Sequence, residues 1–128
     1  LIIFFFFHYR FDEEQHLLAE LQRNFNKFIL WLNEASTVVS IPAESGNEYQ
    51  LKATLQKVKL TVEELPSHKG ILNQLNEAGG KALSSASLTP EVKHNLDSRL
   101  KEANHRWTKV RIISKEAVLY TYKLPFLG

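Results

Sequence analysis

The chain has 128 residues, 44% of them hydrophobic, which suits one domain with a single packed core. Sixteen Lys and Arg against fourteen Asp and Glu leave a formal charge of +2, too weak a surplus for a nucleic-acid footprint. There is no Cys, so disulfide frameworks, thiolate zinc sites and cysteine nucleophiles are excluded.

Leu1–Phe7, LIIFFFF, is an unbroken apolar run. It falls far short of the ~20 residues that cross a bilayer. It also lacks the basic lead and small-residue cleavage site of a signal peptide. Shallow insertion into lipid is the most such a run could do. Phe, Leu and Ile codons are pyrimidine-rich, so a translated polypyrimidine tract gives this kind of sequence, and Arg10 can be an AGG codon across a splice acceptor. Residues 1–10 therefore read as a foreign apolar segment preceding a domain over 11–109.

The first helix is predicted over about 13–39. Leu18, Leu21, Phe25, Phe28, Leu32, Ala35 and Val39 alternate at spacings of three and four, the seam of a helix packed along its length. Leu17 and Trp31 widen the stripe, as contact with two neighbours requires. Ile41-Pro42 ends the helix, since proline disfavours a helical residue before it. Ala43-Glu44-Ser45-Gly46-Asn47 reads as a turn.

A second helix is expected over about 48–78. Leu51, Leu55, Val58, Val62 and Leu65 continue the pattern. Pro66 lacks an N–H and crowds the preceding turn, so a kink or break is expected there. Ile71, Leu72 and Leu75 resume the stripe, and Gly79-Gly80 is the expected stop. Lys81–Leu88 is small and polar and reads as a loop.

The third helix is predicted over about 90–109. Thr89 suits the N-cap, Pro90 the first turn, and Glu91 the positive end of the helix dipole. Val92, Leu96, Leu100, Ala103, Trp107 and Val110 form its apolar stripe. Lys109-Val110-Arg111 can be coded AAG-GTA-AGA, a splice-donor pattern, and VLYTYKL further on is β-prone. Residues 110–128 therefore read as a second foreign segment. The third helix would then be about two turns short of its partners. The fold class is all-α: an up-down-up, antiparallel, left-handed three-helix bundle with irregular ends. Its expected core comprises Leu21, Phe25, Phe28, Trp31, Leu32, Leu55, Val58, Val62, Leu72, Leu96, Leu100, Ala103 and Trp107.

Nothing in the chain carries catalytic chemistry. His16, His68, His94 and His105 sit among polar neighbours without the spacing of a metal site. Glu63 and Glu64 are adjacent on a helix and point in different directions, as a solvated face would. Ser84-Ser85-Ala86-Ser87 is a loop, not a nucleophile elbow. No catalytic residue, cofactor or metal is assigned. Lys93, Arg99, Lys101, Arg106 and Lys109 make the third helix basic, which leaves room for an acidic partner surface.

Trp31 within FILWLNEA and Trp107 closing RLKEANHRW resemble the tryptophan pair typical of spectrin repeats. Over roughly 11–109, LQRNFNKFILWLNEAS, QLKATLQKVKLTVEELP, KGILNQLNEAGG and SLTPEVKHNLDSRLKEANHRWTKV closely resemble a repeat from the central rod of the dystrophin/utrophin family. The resemblance implies a three-helix repeat serving as spacer and spring in a cytoplasmic linker between actin and a membrane complex at the inner face of the muscle plasma membrane, the sarcolemma. It implies neighbouring repeats in the same chain. It also admits a docking role toward actin, anionic lipid or neuronal nitric oxide synthase. No binding motif carries over residue by residue.

Overall fold

The computed structural model describes the backbone of residues 2–40 and 48–122 and the side chains of residues 13–40 and 48–119. It contains three helices: α1 (Ile2–Val39), α2 (Glu48–Leu83) and α3 (Pro90–Tyr122). Each packs against the other two. Trp31 meets Glu64 and His68, while Glu14 and Leu17 share a groove with Ala82 and Ser85, so α1 and α2 run antiparallel. Asn76 pairs with Asn104 and Gly79 lies on Leu100, which turns α3 back alongside α1.

The expected helix limits differ from the observed ones in three places. The third helix is not clipped at 109. The helices hold 38, 36 and 33 residues, roughly 57, 54 and 50 Å at 1.5 Å per residue. The reason is that the seam does not stop. Trp107, Val110, Ser114 and Ala117 keep the three-four spacing, and Val110 and Ser114 are buried. Packing along that line outweighs the β-propensity of the residues that follow.

The second difference lies at Gly79-Gly80, where α2 was expected to stop. It continues to Leu83, because Gly79 is itself a buried seam position against Leu100. The helix closes one turn later, where the Ser84 amide and hydroxyl both donate to the Gly80 carbonyl. The third difference is that α1 reaches back to Ile2 instead of starting near Glu13.

α2 also runs through Pro66 without interruption. The missing N–H falls on the exposed side, where the proline ring meets water instead of a neighbouring helix. Around it, Ser67 Oγ donates to the Glu64 carbonyl at 2.9 Å, and His68 Nδ1 lies 3.0 Å from the same oxygen. These side chains tie the loosened turn together. Thr89 caps α3 as the sequence indicates: its Oγ1 accepts from the Val92 amide at 3.3 Å, and its carbonyl accepts from Lys93 at 3.0 Å.

Of the expected core, Leu21, Phe25, Phe28, Leu32, Leu55, Val58, Leu72, Leu96, Leu100, Ala103 and Trp107 are buried. Val62 is only half-buried, and the position beside it, Thr61, is the buried one. The seam drifts by one residue here, and the threonine hydroxyl is satisfied by donating to the Lys57 carbonyl at 3.0 Å. Trp31 is half-buried at the edge of the core cluster. The described ion pairs, Glu48–Lys52, Glu77–Lys81 and Asp97–Lys101, are exposed one-turn pairs. The hydrogen bond that Lys101 donates to Asp97, then the Asp97 charge, raises Lys101 above the ordinary lysine range, a surface effect of small weight. The turn proposed at Ala43–Asn47 lies outside the described residues.

Candidate functional site

Among the described residues, the most elaborate side-chain arrangement is a belt at mid-bundle. Phe28 and Trp31 come from α1, one turn apart, and Trp107 from the matching level of α3. Their ring centroids lie 5.9–6.4 Å apart, at interplanar angles of about 30°, within the range of favourable aromatic pairs. Trp107 and Phe28 are buried, so the belt belongs to the core on one side.

Its other side faces α2. The His68 ring stacks on Trp31 with centroids 3.7 Å apart and planes 11° from parallel. The Trp31 Nε1–H donates to Glu64 Oε2 at 3.0 Å. A half-exposed indole thus has a ring face covered and its only donor satisfied. His68 is half-buried against the indole, and Glu64, on the exposed face expected for it, also accepts the indole N–H. A signal was present for His68: it stands three residues after Leu65 and four before Leu72, filling the gap in the α2 seam.

Two polar links fix the helices beside the rings. Asn76 and Asn104 exchange a reciprocal amide pair at 3.0 and 2.8 Å, and Asn104 Nδ2 also donates to the Leu100 carbonyl at 2.7 Å. Arg106 on α3 donates to the Asn33 side chain on α1. A part-buried amide pair is satisfied in one register only, which makes it a device for alignment. Neither asparagine is conspicuous in the sequence, because a polar residue flanking a heptad seam looks like any solvated position.

The belt holds helices; it does not assemble an acid, a base and a nucleophile. The Glu64 carboxylate is engaged by an indole N–H and the His68 ring by a backbone carbonyl. Among the described residues no group of three potential metal ligands occurs, and no helix is long and apolar enough to cross a membrane.

A bundle of three matched helices, pinned by a tryptophan from the first and another from the third, agrees with one family comparison. The spectrin-repeat family model matches residues 16–117. The chain belongs to the spectrin-repeat family. No solved structure matches it. The match runs eight residues beyond the expected limit at Lys109, into the stretch where α3 continues through Ser114 and Ala117. Spectrin repeats are structural, non-enzymatic domains that act as rods and spacers and contact neighbouring repeats.

The repeat also carries a groove of about 800 Å³ between α1 and α2. Leu21, Phe28 and Leu75 line it from the core side, together with Leu17 and Ile71, which are 56% and 38% exposed. Glu14 and Glu20 edge it along α1, and Leu88 of the α2–α3 turn closes one end. Sequence reading missed this feature, because Leu17 and Ile71 look like ordinary members of a wide apolar stripe.

Proposed function

We propose that this spectrin repeat is a rod and spacer module of a dystrophin-like linker between actin and a membrane complex at the inner face of the sarcolemma. One observation carries the rod reading. α1 and α3 run parallel, and each extends toward an opposite end of the bundle, so the chain enters at one pole and leaves at the other. Force applied to such a chain passes along the seam of all three helices. The two tryptophans and the amide pair tie neighbouring helices together partway along the bundle.

The dystrophin-like assignment rests on the resemblance of residues 11–109. Within it, residues 1–10 are read as translated intronic sequence; the same reading of residues 110–128 is opposed by the family match through residue 117. Long-read sequencing of the transcript across Arg10 tests the first, and a continuous exon there would refute it.

A second reading, a docking repeat, draws on the α1–α2 groove and the basic α3. Co-sedimentation with filamentous actin, pull-down with neuronal nitric oxide synthase and flotation with anionic vesicles separate the two. A pure spacer gives no enrichment in any of the three. Saturable binding in one of them that is lost on reversing Lys93 and Arg99 would instead establish docking.

A further inference from the structure

We propose that Thr89 is a phosphorylation site for a proline-directed protein kinase, and that a phosphoryl group there fastens the start of α3. A kinase must thread the acceptor residue past ATP as extended chain, so a hydroxyl locked inside a helix is out of its reach. Among the described residues only Ser40 and residues 84–89 lie outside a helix. The second stretch joins α2 to α3 and holds four hydroxyls, on Ser84, Ser85, Ser87 and Thr89. Thr89 and Pro90 are both exposed. A residue before proline is held in the extended region, and a capping residue has the same backbone preference. Thr89 therefore already has the conformation that a kinase cleft accepts.

Hydrogen bonding singles out the same residue. Ser84 Oγ donates to the Gly80 carbonyl at 3.1 Å, and Ser85 and Ser87 bond each other at 2.9 Å. Thr89 Oγ1 only accepts, from the Val92 amide at 3.3 Å, a long bond for this pair of atoms. Its own hydrogen has no acceptor among the described residues. Thr89 is also the one hydroxyl residue of the chain that directly precedes a proline. A kinase cleft without an acceptor for the next residue's N–H selects proline at that place, because any other residue would bury an unsatisfied donor.

In the transfer, Thr89 Oγ1 attacks the γ-phosphorus of ATP. The bond from that phosphorus to the β–γ bridging oxygen breaks, ADP leaves with the electron pair, and the hydroxyl proton passes to the carboxylate base of the kinase. The product carries about −1.5 to −2 charge and three acceptor oxygens. It stands over the first turn of α3, whose amides have no partner within the helix. Lys93, one turn on, makes no ion pair among the described residues. Glu91 is the nearest acid in sequence, and it is exposed and free to turn into water. Amides and a lysine on one side outweigh a single screened repulsion on the other, so phosphate tightens the corner between α2 and α3.

Incubation of the full chain with ATP and a cyclin-dependent kinase tests this. Tandem mass spectrometry places the phosphate, and circular dichroism follows unfolding and confirms that every variant is helical. Thr89 is expected to be phosphorylated in the folded chain. Pro90→Ala keeps the hydroxyl and the helix, and is expected to slow labelling by roughly tenfold, the weight of one unsatisfied donor. Phosphorylation is expected to raise the thermal midpoint by about 3 °C. Thr89→Asp, which keeps a cap and adds a charge, is expected to raise it with no kinase present. No phosphate on Thr89, or phosphate there only after urea has unfolded the chain, overturns the proposal. Equal labelling of the Pro90→Ala chain, or a phosphorylated chain that melts no higher, overturns it as well.

Discussion

Trp107 and Trp31 look equivalent as letters in the sequence but differ in surroundings. Trp107 is 5% exposed, with Phe28 and Trp31 against it. Its replacement by Ala removes a large ring from a closed core and should cost about 3–5 kcal/mol. Trp31 is half in water already, so Trp31→Ala should cost about 2 kcal/mol, in proportion to the area it buries. Urea unfolding of the two variants measures the difference, and equal losses would mean that Trp31 is as enclosed as Trp107. His68 supplies an independent check. In a Trp107→Phe background, His68→Ala uncovers a face of Trp31 and should shift its fluorescence to the red. Ser114 presents the opposite case. It is 0% exposed and its hydroxyl has no partner. Ser114→Ala removes an unsatisfied polar group and should raise stability by about 1 kcal/mol, read as a higher denaturation midpoint at unchanged slope.

At the scale of elements, α2 contains what a helix ordinarily avoids: Pro66 and three glycines. The glycines are not alike. A Cβ on Gly79 would stand 2.7 Å from a Leu100 methyl and 3.2 Å from its Cγ, whereas one on Gly80 meets nothing within 4 Å. Gly80→Ala therefore gains helix propensity freely, about 1 kcal/mol. Gly79→Ala pushes α2 and α3 apart and should lose about 1–3 kcal/mol. Thermal unfolding of the pair settles it, and a stabilised Gly79→Ala variant would show that the α2–α3 contact is looser than the geometry indicates. The same helix shows what sequence periodicity can convey. Leu55, Val58, Leu72 and Leu75 announce their burial through spacing alone. The drift to Thr61, the stack under His68 and the continuation past Gly79-Gly80 were hidden, because each depends on what a neighbouring helix places opposite. α3 was misjudged for the same reason. VLYTYKL taken alone favours a strand, and only the line through Val110, Ser114 and Ala117 keeps its residues through Tyr122 helical.

At the scale of the whole molecule, the three-helix plan was legible from two turn signals and three heptad stripes, and the family from the tryptophan pair. What could not be read were the features that need two chain segments at once: the amide pair, the groove, and the length match of α3 to α1 and α2. These are also the features that make a single body of the repeat. With the helices matched in length and tied at mid-height, a pull from the two termini meets all three together. The most direct measurement is therefore single-molecule pulling with handles at residues 1 and 128. The folded rod spans about 60 Å, while 128 residues extend to roughly 450 Å. A repeat that acts as one mechanical unit releases about 400 Å in a single rip. Early peeling of α3 beyond Lys109, seen as a gradual or separate first extension, would contradict it.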